Sequence, residues 1–535
     1  MAKNNVLNKQ TVLQGTLTLA VTWLIIRILG AVYRIPLGRL LGDEGLGIYA
    51  VPNQIYLLFF TLSSAGIPVA VASIVSGKIA LGHYRDALRT FRVARSAMLT
   101  IGAVFALLLF FGAGWLTSSG LVSIPEAYLG IRAIAPVIFF AAVTATYRGL
   151  FQGLQNMRAV AYSQLAEQIL LVAATLLFSY LLLPRGLSMA AAGANFGAVP
   201  GAVGATLMLI FVYSRQRRVL SELVTQDSSE AREATLPLLK QIFSVAIPVS
   251  LASIVMSVTN LIDQWLIIYR LPIAGYSHQQ SVALFGQFNQ MAMAMVNISI
   301  SLALALGSNM VPAVAGAFAR GDLERVRHQL SQALRLAMLL ALPASAGLYL
   351  LAPQLTRLLF AKQEAGVPLA ALSAVVIFWS VHLVTAGALQ GMGKAIIPVR
   401  SLVCGIVIKI AITYYLTPIL GIRAAAYGTV VIFIIASMLN LIALSSLTGL
   451  RFNFWDMLAK TAPATLVMSI GVLAVFRALA LRIGDNDWST LLAVAAGMVL
   501  YPAALVLLGG VRAEDVRRLP GGGRLAVFLE KLGRN

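Results

Sequence analysis

Long apolar stretches recur along the whole chain, separated by short polar breaks that contain Gly and Pro. A membrane-spanning helix needs roughly 20 predominantly apolar residues. The short alternating segments of an outer-membrane barrel are absent. The pattern therefore predicts an all-α membrane protein with about fourteen transmembrane helices. Their predicted positions are residues 12–38, 48–76, 90–115, 126–152, 159–183, 189–213, 239–269, 281–316, 328–351, 368–391, 396–416, 422–447, 457–481 and 488–509.

The composition supports a membrane environment for the exterior. Hydrophobic residues make up 59% of the 535 residues, charged residues only 11%, and the mean hydropathy is +0.87. A soluble globular protein carries roughly 25% charged residues, so this chain has too few polar groups to cover itself. A single cysteine, Cys404, excludes an intrachain disulfide. The first residues do not have the pattern of a cleavable signal peptide.

The basic residues predict the orientation in the membrane. The net charge of +21 would suggest a nucleic-acid partner in a soluble protein. In membrane proteins, however, the cytoplasmic loops are enriched in Lys and Arg. With the N-terminus inside, basic residues favour the cytoplasmic side by roughly three to one. We therefore expect both termini in the cytoplasm, a multi-pass protein of the bacterial inner membrane, and no nucleic-acid partner.

Two segments of the chain resemble each other. Residues 149–154, Gly-Leu-Phe-Gln-Gly-Leu, correspond to residues 387–392, Gly-Ala-Leu-Gln-Gly-Met. Each repeat holds six spans, an even number, so both copies have the same orientation. The prediction is two pseudo-symmetric six-helix lobes around a central cavity, which favours a transporter that works by alternating access. The predicted parts are an N-lobe at 1–214, a cytoplasmic linker at 215–238, a C-lobe at 239–450, spans 13 and 14 within 451–510, and a cytoplasmic tail at 511–535.

Two arginines in the first predicted span are candidate ligands for an anionic cargo. Arg27 and Arg34 are seven residues apart, so they share one helix face about two turns apart. An isolated Arg near the bilayer centre costs at least about 2.5–3.5 kcal/mol, so both should face a polar interior. The guanidinium group suits phosphate recognition. The alternative for each is that the side chain extends to the membrane interface.

Four further charged residues lie within or at the ends of predicted spans. Asp263 in span 7 binds a coupling cation, neutralises an arginine of span 1, or makes a structural polar contact. Glu167 in span 5 and Lys409 in span 11 pair across the cavity or serve the packing of their own helices. Arg270, at the outer end of span 7, contacts the cargo or extends to the interface. Span 8 is rich in Asn and Gln, which predicts a wet face.

The sequence also has a basic stripe, and it lacks several motifs of enzymes. Arg85, Arg89, Arg92 and Arg95 recur at helical spacing at the start of span 3. They attract anionic phospholipid headgroups or simply follow the cytoplasmic enrichment in basic residues. The chain has no phosphate-binding loop of the Gly-x-x-x-x-Gly-Lys-[Ser/Thr] type and no His-Glu-x-x-His motif. We therefore expect no enzyme, no catalytic residue, no metal site and no bound cofactor.

Residues 34–49, which close span 1 and open span 2, resemble a motif of a known superfamily. With the Gln-Gly turn after span 4, they are similar to the polysaccharide-exporter branch of the multidrug/oligosaccharidyl-lipid/polysaccharide (MOP) superfamily. The chain looks most like the SpoVB/YtgP group, which is related to the lipid II flippase MurJ. The resemblance implies the MOP fold and export of an undecaprenyl-pyrophosphate-linked saccharide, most simply lipid II, from the inner to the outer leaflet. We expect a monomer.

The resemblance also implies roles for individual residues. Arg27 and Arg34 would bind the cargo pyrophosphate, and Asp263 would bind or sense a coupling cation, a sodium ion or a proton. Arg39, Asp43 and Glu44 lie in the motif itself and are assigned to a gate. Spans 13 and 14 would form a groove for the lipid tail. The family's MurJ members also carry Arg in spans 2 and 8, and this sequence has none within them.

Three alternative functions remain open at the level of sequence. The cargo could be a teichoic, capsular or spore-cortex precursor, which the sequence does not separate from lipid II. A MATE-like cation-coupled drug exporter would carry acids rather than arginines in the cavity of the N-lobe. A polyprenyl-sugar glycosyltransferase would need acidic outer loops, whereas the outer loops here are short.

Overall fold

The computed structural model describes residues 12–64, 66–120, 122–225, 227, 234–450 and 454–509, and no strand occurs in these ranges. The chain divides into two compact units. The first comprises Met1–Gln290 with Thr413–Ile422, and the second comprises Met291–Ile412 with Arg423–Asn535. The predicted tail at 511–535 and most of the loop at 226–233 lie outside the described residues, so the predicted domain boundaries stay predictions.

The α-helices are numbered in chain order. Those up to residue 286 are α1 (Val12–Val32), α2 (Arg34–Ser64), α3 (Ile67–Ala80), α4 (Tyr84–Ser118), α5 (Tyr128–Gly153), α6 (Met157–Leu182), α7 (Leu187–Phe196), α8 (Ala198–Thr225), α9 (Thr235–Arg270) and α10 (His278–Gly286). A π-helix at Gln287–Ala292 follows. The later helices are α11 (Met293–Ser299), α12 (Ser301–Ala319), α13 (Leu323–Leu350), α14 (Ala352–Phe360), α15 (Gly366–Leu372), α16 (Val375–Gly391), α17 (Ile396–Leu420), α18 (Ile422–Thr448), α19 (Phe454–Ile483) and α20 (Asp487–Leu507).

The predicted all-helical membrane fold is confirmed, but the number of fourteen spans is not. Within the described ranges, eleven helical segments are long and apolar enough to cross a membrane, or twelve if one pair bent by 44° counts as a single span. The predicted span at 281–316 is not one continuous helix. It consists of α10, the π-helix, α11 and α12, with a break at Ile300 between the last two.

Two glycine pairs explain how the repeated motif folds in both units. On α5, a Cβ at Gly149 would lie 3.0 Å from the carbonyl oxygen of Pro68, and one at Gly153 would meet Val75, so α5 packs closely on α3. On α16, a Cβ at Gly387 would overlap the carbonyl oxygen of Gly307, so α16 packs closely on α12. Small residues four apart allow such close contact between membrane helices. The same local motif thus makes the same helix pair in each unit.

The turns before and after these helix pairs also correspond. Gly82 (φ 82°) and Gly321 (φ 73°) precede α4 and α13 with the same backbone hydrogen bonds. After α5 and α16, the left-handed residues are Gln155 (φ 60°) and Gly393 (φ 74°). In both, the next residue donates its N–H five residues back, to the carbonyl of residue 151 or 389. This is the bond pattern expected at a helix C-terminus with a left-handed residue.

Candidate functional site

Arg27 lies in the second half of α1 and is partly buried. One turn later, a Cβ at Gly30 would lie 3.6 Å from Nε2 of Gln168, so α1 and α6 approach closely at this level. That Arg27 faces a polar interior and binds the cargo remains a prediction.

Arg34 begins α2 and is also partly buried. Its Nε atom is buried and makes no hydrogen bond within the described part of the chain. The guanidinium interacts electrostatically with Tyr49, whose hydroxyl lies 3.1 Å from the hydroxyl of Tyr33. A buried donor without a partner costs about 1–3 kcal/mol, so this nitrogen is available to an anionic ligand or water.

A cluster of amides extends from this point along α2. Asn53 Nδ2 donates to Asn195 Oδ1 of α7 at 2.8 Å, and both side chains also donate to the carbonyl of Tyr49. The adjacent Gln54 is buried, and neither of its amide atoms has a hydrogen-bond partner among the described residues. Sequence reasoning did not single out Asn53 or Gln54, because an isolated amide carries no signal until the fold shows that it is buried.

Glu167 on α6 forms an ion pair with a residue that sequence reasoning did not select. Its Oε2 lies 2.5 Å from Nη2 of Arg148 on α5, and Arg148 Nε donates to Ser163 Oγ at 3.2 Å. The two charged side chains are 30% and 18% exposed. Among the described contacts, the ionic partner of Glu167 is therefore Arg148 of the same unit rather than Lys409.

Asp263 and Lys409 are both buried within the membrane-spanning part of the chain. Asp263 on α9 is 8% exposed and belongs to the first unit, beside the buried Gln264 on the same helix. Lys409 on α17 is 3% exposed and belongs to the second unit. Charged groups at such depth require compensation, which is typical of residues with a functional or pairing role.

The predicted gate residues contact α10 and the π-helix that follows it. Asp43 Oδ2 accepts a hydrogen bond from Nε2 of Gln287 at 2.9 Å, and Glu44 Oε2 accepts one from Nε2 of Gln279 at 2.7 Å. Arg39 is exposed. The backbones are equally close, since a Cβ at Gly286 would overlap the carbonyl oxygen of Asp43. The carboxylates thus hold the part of α2 that follows its non-helical residue Gly42 (φ 67°) against α10 and the π-helix.

Arg270, the last residue of α9, makes two contacts with Tyr414. Its Nε donates to the carbonyl of Tyr414 at 2.8 Å, and its guanidinium carbon lies 4.0 Å from the centre of the Tyr414 ring. A cation over an aromatic face is stabilised by about 0.5–2 kcal/mol. These contacts anchor the end of α9 and occupy much of the guanidinium group, so they favour a packing role for Arg270 over a cargo contact.

No group of three or more His, Cys, Asp or Glu side chains with the geometry of a metal site occurs among the described residues. The second unit contains a neutral polar cluster instead. Asn440 Nδ2 lies 3.2 Å from both Nδ1 of His382 and Oγ1 of Thr385, and all three residues are buried. A lone buried histidine with such partners serves helix packing more simply than metal binding.

Comparison with known proteins gives family-level matches over most of the chain. The profile described as "Polysaccharide biosynthesis protein" matches residues 12–318, and the MatE profile matches residues 248–415. The chain is 24% identical over 524 residues to stage V sporulation protein B of Bacillus subtilis (strain 168), covering 97% of this chain and 99% of that protein. It is 27% identical to the lipid II flippase MurJ of the same organism, covering 95% and 97%.

A solved structure of a relative has the same fold. The lipid II flippase MurJ in an inward closed conformation superposes with a TM-score of 0.68 at 13% sequence identity, covering 91% of this chain and 97% of that one. Identity at this level shows a shared fold. Together with the profile matches, it confirms the resemblance and the fold class drawn from residues 34–49 and from the repeat.

Proposed function

Because the chain belongs to the polysaccharide biosynthesis protein family, within the MOP superfamily of multi-pass membrane transporters, we propose that it moves an undecaprenyl-pyrophosphate-linked saccharide across the membrane. The proposed cargo is lipid II, transferred from the inner to the outer leaflet by alternating access. The protein would act as a monomer in the bacterial inner membrane with both termini in the cytoplasm. It would not change its cargo chemically, so it would be no enzyme.

The observation that carries this proposal is the placement of Arg27. It is partly buried in the second half of an apolar helix, where an uncompensated guanidinium is costly and an anionic ligand would offset that cost. Arg34 supplies a second guanidinium in the same unit, with a buried Nε that has no partner in the described part of the chain. A pyrophosphate accepts bidentate hydrogen bonds from guanidinium groups. The two arginines favour an anionic over a cationic cargo.

Asp43 and Glu44 would form the gate of this cycle. Their hydrogen bonds to Gln287 and Gln279 join the part of α2 after Gly42 to the π-helix and to α10, and these bonds would break when that side opens. Hydrogen bonds with one charged partner each contribute about 1.5–3 kcal/mol, an amount that cargo binding can offset. Arg39, assigned to the same gate, is exposed beside them.

Asp263 would couple transport to a sodium ion or a proton. A carboxyl buried in the membrane binds a cation or a proton at a cost that depends on the conformation around it. In Asp263→Asn, transport should lose its dependence on an imposed sodium or proton gradient while cargo binding persists. Unchanged dependence on both gradients would remove Asp263 from the coupling role.

The direct test is complementation of a strain depleted of its lipid II flippase. Arg27→Glu should abolish complementation while the protein remains inserted at the wild-type level. Arg185→Glu, the same charge reversal at an exposed residue between α6 and α7, should complement fully. Full complementation by Arg27→Glu would rule out this residue as a cargo ligand.

A second cargo is favoured by one specific observation. The match to stage V sporulation protein B covers 99% of that protein, so the saccharide that this chain moves could instead serve sporulation. Accessibility of lipid II in the two leaflets after acute depletion of the protein separates these cargoes. Accumulation in the inner leaflet supports lipid II, whereas an unchanged distribution with defective spores supports the second cargo.

Restored export of cationic drugs without either effect would indicate a MATE-like exporter, and polymer synthesis from lipid II by the pure protein would indicate a glycosyltransferase.

A further inference from the structure

A polar cavity of about 540 Å³ lies between the first turns of α4 and α9, within the first unit. Its polar lining consists of Arg89, Arg92, Ser96, Thr100 and Thr235. No acidic side chain is among the described residues that line it. The volume falls in the range of small-molecule sites, roughly 300–1,000 Å³. The cavity therefore offers two guanidinium groups and three hydroxyls without a carboxylate to neutralise them.

The arginines that line this cavity differ from their neighbour in the same stripe. Arg95 lies against aromatic rings, with its Nη1 3.4 Å from the hydroxyl of Tyr147 and its guanidinium carbon 5.6 Å from the ring centre of Phe91. Arg89 has a buried Nε that makes no hydrogen bond within the described ranges, and Arg92 is exposed. The Nε of Arg95 is likewise buried without a hydrogen bond in the described ranges, but its guanidinium lies against aromatic rings and does not line the cavity, whereas Arg89 and Arg92 do.

One side of the cavity is apolar. Val93, Ala97 and Leu239 complete the lining, and Leu236, beside the lining residue Thr235, is 77% exposed. α4 is long and apolar enough to cross a membrane, and with its basic first turns on the cytoplasmic side they would lie near the lipid headgroups. A soluble anion gains nothing from this apolar wall. A phospholipid places its phosphate on the basic lining and its acyl chain along the wall.

The second unit provides an internal comparison. Arg89 and Arg92 are the sixth and ninth residues of α4, and His328 and Ser331 are the sixth and ninth of α13. A cavity of about 560 Å³ lies there as well, but Asp322 and Glu324 stand among its basic lining residues. The same position in the fold thus carries mixed charge in one unit and purely basic charge in the other.

We propose that the cavity between α4 and α9 binds the headgroup of an anionic phospholipid from the adjacent leaflet. The phosphate lies between Arg89 and Arg92 and accepts further hydrogen bonds from the hydroxyls of Ser96 and Thr235. An acyl chain runs along Leu239. The lipid holds the first turns of α4 and α9 together, and this role does not depend on the identity of the cargo.

The test measures lipid binding to the purified full-length protein by native mass spectrometry. Phosphatidylglycerol and phosphatidylcholine with identical acyl chains are compared for the wild type and for Arg89→Gln/Arg92→Gln. The wild type should retain phosphatidylglycerol preferentially, and the double variant should bind it about thirtyfold more weakly, from roughly fivefold for each basic residue near the surface. Arg325→Gln, which removes one charge from the corresponding surface of α13, should leave phosphatidylglycerol binding unchanged.

Further variants and a competing anion distinguish a lipid site from a site for free phosphate. Arg89→Lys keeps the charge and should bind phosphatidylglycerol about as well as the wild type, whereas Arg89→Gln should lose about fivefold. If the double variant fails to fold, Arg92→Gln alone carries the test, because its side chain is exposed, with a loss of about fivefold. Equal binding of both lipids by the wild type, unchanged binding in the double variant, or full displacement of phosphatidylglycerol by millimolar inorganic phosphate would overturn the proposal.

Discussion

Helices α5 and α16 occupy the same place in the two repeats and differ in the polar and charged residues that they carry. Both pack on a neighbour through a glycine pair and end in a left-handed residue. Before the first glycine, however, α5 carries Arg148, which pairs with Glu167, whereas α16 carries Ala386. Five residues before it, α5 carries Thr144 and α16 carries His382. The packing is thus repeated, and the fixed charges occur in the first unit alone at this position.

This difference separates what the fold requires from what it tolerates. Close backbone contact is present in both units, so the repeated helix pair depends on the glycines. α16 carries Ala386 where α5 carries Arg148, so the repeated helix pair forms without this ion pair. Burying charges costs several kcal/mol per ion unless they are paired. We therefore associate the charges of the first unit with its proposed role in binding an anionic cargo.

The largest effect is expected from removing one partner of the ion pair. Arg148→Met leaves the carboxylate of Glu167 mostly buried without its cation, which should cost about 2–3 kcal/mol. The double variant Arg148→Met/Glu167→Leu should recover most of this loss, because no uncompensated charge remains. Thermal unfolding in detergent measures both. Equal destabilisation by the single and double variants would mean that the pair serves packing rather than charge compensation.

The glycine pairs should respond in proportion to the backbone contact. Gly387→Ala places a Cβ onto the carbonyl oxygen of Gly307, whereas Gly149→Ala meets mainly the side chain of Val71 at 2.7 Å. Overpacking costs about 1–3 kcal/mol, and backbone atoms yield less than side chains. We expect roughly 2–3 kcal/mol for Gly387→Ala and about 1 kcal/mol for Gly149→Ala. A reversed order of unfolding midpoints would contradict the contact geometry.

A smaller effect concerns the buried polar bonds behind these helices. Thr144 and Thr206 join α5 to α8 through hydroxyls 2.7 Å apart, and Asn440 joins α18 to His382 of α16. Asn440→Leu leaves the buried His382 Nδ1 without this partner and should cost about 1–2 kcal/mol. Thr206→Val, which is nearly isosteric, should cost about 1 kcal/mol or less. Unfolding midpoints that fail to separate the two variants would show that the imidazole finds another partner.

The smallest effect is expected at the left-handed turns. Gln155 holds a positive φ that glycine adopts without steric cost, and the equivalent turn uses Gly393. Gln155→Gly should stabilise the protein by about 0.5 kcal/mol, and Gly393→Gln should destabilise it by about 1 kcal/mol. The same sign for both exchanges would mean that the side chain of Gln155 makes a contact that outweighs its backbone strain.

The sequence predicted the helical membrane fold and the repeat because both signals are local. An apolar stretch and a Gly-x-x-x-Gly motif can be identified without knowledge of the neighbouring helix. The number of spans could not be obtained in the same way. The stretch 281–316 is continuous in hydropathy, yet it unwinds into a π-helix at Gln287, the residue whose amide bonds Asp43. The interruption coincides with a contact between residues 244 apart in the sequence, which hydropathy alone does not reveal.

The candidate site was predicted in part for the same reason. Arg27 and Arg34 are prominent because arginine is rare in a span. Arg148, near the end of α5, has the position of an ordinary basic residue beside a loop. Only the packing of α5 on α6 shows that it is partly buried and paired with Glu167. Gln54 gives no signal in the sequence at all, because its significance depends on its burial.

The exposure of Cys404 has a practical consequence for labelling. It is the single cysteine of the chain, and it lies on the exposed surface of α17, a membrane-crossing helix. On a membrane-spanning helix, an exposed thiol would be surrounded by hydrocarbon, which reagents dissolved in water do not enter. Water-soluble maleimides should therefore leave the native protein unmodified in a bilayer. A cysteine introduced at one polar position, such as Asn53 or Asp43, would then be the reporter of when that position meets water.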